Sequence, residues 1–276
     1  MKDRKLFYRE RIWECGCYTD VEIFPVYQRA GVRRAKCNPS SEVQARLNEK
    51  NAVKKLTRLL HLNFTENDLV IGLDYTEECK PFSDDQMKKD LQNYVRRIKR
   101  LYNTYSEELK YIAVSERSET GRAHFHITIN RTSVSEALIR DKWTFGRTEI
   151  EPLQFDENGI VGWSRYITKS KLFTKRWCAS KNLKQPSARV RDYTLSKKKI
   201  DLFRIEDGNA IRMTYGNDVH IIDCSVYNND VNRADYIYLQ LFDLEKHIRL
   251  TGKKRYERKI RNGKSAARTG AQKINS

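Results

Sequence analysis

His124-Phe125-His126-Ile127-Thr128-Ile129-Asn130 alternates with a period of two, the pattern of a β-strand. Phe125, Ile127 and Ile129 fall on one face and His124 and His126 on the other. In a strand, residues two apart project from the same face about 6.5–7 Å apart along the chain. The two imidazoles therefore form a natural ligand pair for one divalent cation, in a chain with only five histidines.

The segment before it, Tyr111-Ile-Ala-Val-Ser-Glu116, also reads as a strand. Glu119-Thr120-Gly121 fits a three-residue hairpin loop with Gly121 in the left-handed position such loops need. In that register paired residue numbers sum to 240, so Glu116 lies opposite His124 and Val114 opposite His126. Directly opposed side chains share a face with Cβ atoms about 5 Å apart, so Glu116 completes a His-His-Glu set. A two-residue turn at Thr120-Gly121 instead sends Glu116 to the other face. Two imidazoles and a carboxylate suit Mn²⁺, Zn²⁺ or, less well, Mg²⁺. The competing reading makes the histidines packing residues and Glu116 a solvated hairpin charge.

Further out, Ser40-Ser41-Glu-Val-Gln opens a helical pattern that runs through Leu56, Leu59 and Leu60. Leu69–Thr76 reads as a strand. Ser83-Asp-Asp-Gln is a capping-box pattern for a helix carrying Leu91, Tyr94, Val95, Ile98 and Leu101. Its polar face, with Arg96, Arg97, Lys99 and Arg100, reads as solvated surface. Ile160–Phe173 reads as a helix, and 199–205, 211–215, 219–226 and 236–242 read as further strands. The order implies an α+β fold, an antiparallel sheet with helices packed on one face. Three segments follow: an extension over 1–64, a domain over 65–248 and a basic, disordered tail over 249–276.

The formal net charge is +18. Residues 165–199 hold 12 Lys/Arg against Asp192, and residues 250–276 hold 9 against Glu257, so the rest of the chain is nearly neutral. Such concentration points to a polyanion, and nucleic acid fits better than a membrane because neither tract has a clean amphipathic face. No run approaches the ~20 apolar residues of a bilayer span, and no signal-peptide core follows Met1. Six scattered cysteines suit a reducing cytoplasm.

Tyr166-Ile-Thr-Lys169 places a tyrosine and a lysine at i, i+3 on one helix face, about 5–6 Å apart. With a pKa near 10, only about one tyrosine in a thousand is ionised at neutral pH, so a nucleophilic tyrosine needs a nearby cation and an activated phosphate. Tyr256-Glu-Arg-Lys259 repeats the spacing in the charged tail without apolar anchors. Cys15, Cys17 and Cys37 make a weak zinc pattern, and Asn262-Gly-Lys-Ser265 lacks the earlier glycine and strand of a P-loop. No ATPase domain is expected.

A strand glutamate, a His-hydrophobic-His strand and a helix with Tyr-x-x-Lys together resemble the single-tyrosine HUH endonucleases that initiate rolling-circle replication. Cys15-Gly-Cys-Tyr18, Asn48–Ala52, Asn63-Phe64 and Asp68 are similar to phage- and plasmid-type replication-associated proteins of bacterial elements. The resemblance spans roughly residues 10–180. Leu69–Thr76 matches the family's Thr-rich first strand only loosely, and Asp74 there receives no role.

The resemblance implies that His124, His126 and Glu116 hold Mn²⁺ or Mg²⁺, with Zn²⁺ behind them. It implies that Tyr166, assisted by Lys169, attacks single-stranded DNA or an origin hairpin to leave a 5′-phosphotyrosine. Arg122, Arg165, Lys171, Lys175 and Arg176 are the expected DNA contacts. Trp177 is open between base stacking and core packing. A host helicase and polymerase are the expected partners, and the bacterial cytoplasm is the expected location. The rival functions are a non-catalytic nucleic-acid-binding protein and an HUH relaxase or transposase.

Overall fold

The computed structural model describes residues 6–27, 41–117, 121–168, 176–204, 208–229 and 234–252. In chain order the elements are β1 (Leu6–Cys15), β2 (Tyr18–Tyr27), α1 (Ser41–Asn63), β3 (Leu69–Asp74), α2 (Asp84–Thr104), β4 (Tyr111–Arg117) and β5 (Ala123–Ile129). They continue with α3 (Glu136–Arg140), β6 (Thr148–Pro152), α4 (Val161–Ile167), β7 (Cys178–Ala179) and β8 (Arg189–Asp192). The last are α5 (Lys197–Leu202), α6 (Asn209–Tyr215), β9 (Val219–Asn229), β10 (Ala234–Asp243) and α7 (Leu244–Thr251). Two compact units result, one formed by 1–35, 156–159 and 187–276, the other by 36–155 and 160–186. They interleave along the chain, whereas the sequence segments divide it end to end.

The class is α+β, as the element order implies. The unit with the histidines holds an antiparallel sheet in the order β6-β3-β5-β4-β7. Its odd-numbered positions, including Leu69, Ile71, Leu73, Phe125 and Ile127, pack on Met87, Leu91, Tyr94 and Ile98 of α2 and on Ile139 and Trp143. Ser83 caps α2 as the sequence predicts, accepting a bond from the Gln86 amide at 3.2 Å. The Gln86 side chain turns instead to the buried Asp90 at 2.8 Å.

The structure adds a helical layer on the other face. Leu56, Leu59 and Leu60 of α1 and Ile167 of α4 pack with Ile112 and Val114 of β4. The unbroken burial along β4, with Ile112, Ala113 and Val114 all at about 1% exposure, records this double cover. Gly146 makes a close approach possible, because a Cβ there would collide with the Asp74 carbonyl oxygen. The 145–147 segment thereby bonds to the end of β3, through Asp74 N to Arg147 O and Thr76 N to Phe145 O, each 2.9 Å.

In the other unit the sheet order is β8-β1-β2-β10-β9, again antiparallel. The ten-residue hairpin strands β1 and β2 are not foreseen, because Glu10 and Asp20 sit on their buried faces and break the apolar alternation. Two expected strands are helices. Over 199–205 the Ser196 hydroxyl accepts from the Lys199 amide and caps α5, whose Ile200 faces the core with Phe203. Over 211–215 a left-handed Gly208 starts α6. The expected helix over 160–173 is shorter among the described residues: α4 ends at Ile167, where the Thr168 hydroxyl bonds back to the carbonyl oxygens of Ser164 and Arg165. No helix among the described residues is long and apolar enough to cross a membrane. The tail from 253 onward lies outside the described residues, as do Tyr256, Lys259 and 262–265.

Candidate metal centre

β4 and β5 pair in the register that sums to 240, with Glu116 opposite His124 and Val114 opposite His126. Gly121 has φ +79°, the left-handed conformation assigned to it from sequence, while Glu119 and Thr120 lie outside the described residues. The three side chains consequently meet on the α1–α4 face of the sheet. The Nε2 of His124 lies 3.2 Å from Glu116 Oε2, and that of His126 lies 3.4 Å from the same oxygen. One ligand atom from each residue falls within 4.8 Å of the others, and this is the one such trio of His, Cys, Asp or Glu among the described residues. Cys15 and Cys17 join no such group, and Cys37 lies outside the described residues.

Two features suit this trio to a cation. The His126 Nε2 is buried and makes no hydrogen bond, although buried polar atoms are nearly always satisfied. Burial, reinforced by the neighbouring His124, pushes the His126 pKa below its usual value, while Glu116 pulls it up. A neutral imidazole with a lone pair aimed at a carboxylate-lined gap is a ligand in waiting.

Helix α4 brings the tyrosine. Val161, Ser164 and Ile167 are its buried side, and Ser164 Oγ meets Thr57 Oγ1 of α1 at 2.6 Å. The Ile160 amide donates to His61 Nε2 at 3.1 Å, and His61 Nδ1 contacts the Thr57 carbonyl oxygen at 2.9 Å. Trp163 Nε1 donates to Thr128 Oγ1, two residues beyond His126 on the same strand face, at 3.2 Å. With the helix held in this way, the Tyr166 ring stands 5.3 Å from the His126 ring and stacks on Trp163 at 5.7 Å. It remains 44% exposed, so a large substrate can reach it.

Other predicted residues scatter. Lys169, Lys171 and Lys175 lie outside the described residues. Arg165 is exposed on α4. Arg122 is exposed with a guanidinium nitrogen 3.9 Å from Glu77. Arg176 reaches the Thr168 carbonyl oxygen at 3.4 Å and Glu49 at 3.8 Å. Trp177 packs, half-buried, against the α1–α4 core.

Asp74 is the residue that sequence reasoning left without a role. It is exposed and sits directly opposite His124 across β3, on the side away from Glu116. Its carbonyl oxygen accepts from Trp143 Nε1 at 2.8 Å, which fixes the strand end. Only the pairing of β3 with β5, across some fifty residues of chain, reveals it.

Residues 68–171 match a family model of replication-associated proteins, the ORF2 type. The matched span contains β3, β5, Glu116 and Tyr166, and the match supports a role in DNA replication. Searches of curated proteins and of solved structures found no match.

Proposed function

We propose that this protein initiates rolling-circle replication by nicking and rejoining single-stranded origin DNA through a tyrosine. The observation that carries the reading is the Tyr166 ring held 5.3 Å from His126, itself part of the His-His-Glu trio. A divalent metal bound by His124, His126 and Glu116, Mn²⁺ or Mg²⁺ ahead of Zn²⁺, would supply Lewis-acid polarisation of the scissile phosphate.

The protein's own groups do the rest. Tyr166 Oη attacks the phosphorus, forming a phosphotyrosine bond as the bond from phosphorus to the 3′ oxygen breaks. The leaving oxygen takes up a proton and becomes the 3′-hydroxyl that primes a polymerase, while the phenol proton is lost. Reversal of the same step rejoins the strand. Trp163, stacked on the Tyr166 ring and bonded to Thr128, holds the nucleophile over the trio, which is the positioning such displacement chemistry depends on. Lys169 assists the developing charge, and Arg165 and Arg176 bind flanking phosphates, with Arg122, Lys171 and Lys175 in the same role. A host helicase opens the duplex, in a reducing cytoplasm.

The test is a denaturing gel of the full chain with Mn²⁺ and a panel of labelled origin hairpins and single strands. A covalent adduct is expected with the wild type and none with Tyr166→Phe. No adduct from the wild type on any substrate, or an equal adduct from Tyr166→Phe, overturns the reading.

A further inference from the structure

On the face of the sheet opposite the histidines lies a groove of about 1140 Å³, walled by α2 and floored by β4 and the 176–182 segment. This exceeds the roughly 300–1,000 Å³ of most small-molecule clefts. It exists because α2 covers β3 and β5 but leaves the β4–β7 edge open, where the paired residues Ala113 and Cys178 are small. The wall is a single stripe of α2, with Lys88, Gln92, Arg96, Lys99 and Asn103 recurring every three or four residues. Arg176 and Lys181 add positive charge from the far side, against Asp85 and Glu108. The floor offers the half-buried Tyr111 ring and the Ser115 hydroxyl. Arg176 also bonds to the carbonyl oxygen of Thr168, so one end of the groove adjoins the end of the helix that carries Tyr166.

We propose that this groove is a second nucleic-acid site, which holds a single DNA strand with its phosphates on the Lys88–Arg96–Lys99 stripe and its bases over Tyr111 and the strand edge. Cationic walls beside an aromatic-bearing floor are what sequence-tolerant single-strand binding requires. The binding is separate from cleavage, because no residue of the stripe belongs to the His-His-Glu trio or to α4.

The experiment uses the full chain carrying Tyr166→Phe, in EDTA, so that cleavage cannot contribute. Anisotropy of a labelled twelve-residue oligothymidylate is followed across salt concentrations. Arg96→Glu/Lys99→Glu is compared with Lys89→Glu/Arg100→Glu, which makes the same charge change on exposed residues of α2 outside the groove lining. The groove pair is expected to weaken binding at least about tenfold and to lower the log–log salt slope by about 1.4, the value for two lost phosphate contacts at about 0.7 each. The control pair is expected to change affinity by less than about threefold. In parallel, an oligonucleotide carrying 5-iododeoxyuridine is photocrosslinked to the chain without stripe substitutions, and the crosslinks are expected in residues 88–115 or 176–182. Equal loss from both pairs, no loss from either, crosslinks only elsewhere, or tighter binding of a matching duplex overturns the proposal.

Discussion

The two sheets treat buried charge in opposite ways. In the β1–β2–β10 sheet, Glu10 is 1% exposed and accepts from Tyr215 Oη at 2.6 Å and from the Thr194 hydroxyl. Asp235 is fully buried and is met by Arg204, Lys197 and Asn228. Donors surround both acids, as a structural role demands. In the β3–β5–β4 sheet, two imidazoles crowd one carboxylate, and the His126 Nε2 finds no hydrogen bond. The difference teaches that a saturated buried charge holds a fold together, while a cluster left short of a positive partner is arranged for a ligand.

The sharpest break of this comparison comes from separating nucleophile from ligand. Tyr166→Phe is expected to cut adduct formation by roughly 10⁴-fold or more while leaving Mn²⁺ binding intact. His126→Ala is expected to lose both. If calorimetry shows Tyr166→Phe losing Mn²⁺ affinity as well, the division of labour is wrong.

Next in size is the metal itself. Loss of outer-shell partners costs a metal site about 10–100-fold, so removing the direct ligands His124 or His126 is expected to weaken Mn²⁺ binding at least about 100-fold. In the wild type, Mn²⁺ at a hundred times its dissociation constant adds about 2.7 kcal/mol of stability, which chelation removes. A melting temperature that ignores both Mn²⁺ and EDTA would falsify the site.

A smaller effect probes the saturated sheet. Tyr215→Phe deprives Glu10 of a donor and is expected to destabilise by about 1–3 kcal/mol in urea titration. Mn²⁺ affinity should stay at the wild-type value, and a fall in it would blur the contrast between the sheets.

The smallest effect is a pH dependence. Burial beside His124 lowers the His126 pKa in the folded chain, so the unfolded chain takes up a proton first as the pH falls. The contribution to stability is therefore complete above the unfolded value of about 6.5 and is lost as pH drops from there toward the lowered folded value. In EDTA, His126→Gln should flatten the stability curve just below pH 6.5, and an unchanged slope would reject the assignment.

Much of the site is legible in the sequence because it is local. A period-two strand puts His124 and His126 on one face, and a glycine able to adopt positive φ sets the register that adds Glu116. The helix start at Ser83 is local for the same reason. The errors also have physical causes. Lys199–Ile205 and Ile211–Tyr215 are short apolar runs without a decisive period, and the caps that make them helices lie just outside them. The β1–β2 hairpin hides because Glu10 and Asp20 occupy core positions that only distant tyrosines and a threonine make tolerable.

The sequence alone determined the antiparallel hairpin, its register and the three clustered ligands, since strand period and turn geometry act over a dozen residues. Tertiary structure decided the rest. Asp74 comes beside His124 through long-range strand pairing, Tyr166 comes to His126 because α4 is pinned on α1 and Thr128, and the cationic stripe of α2 becomes a groove wall only where β4 and β7 leave the sheet uncovered. Those contacts join residues tens of positions apart, and packing, which no local period encodes, selects them.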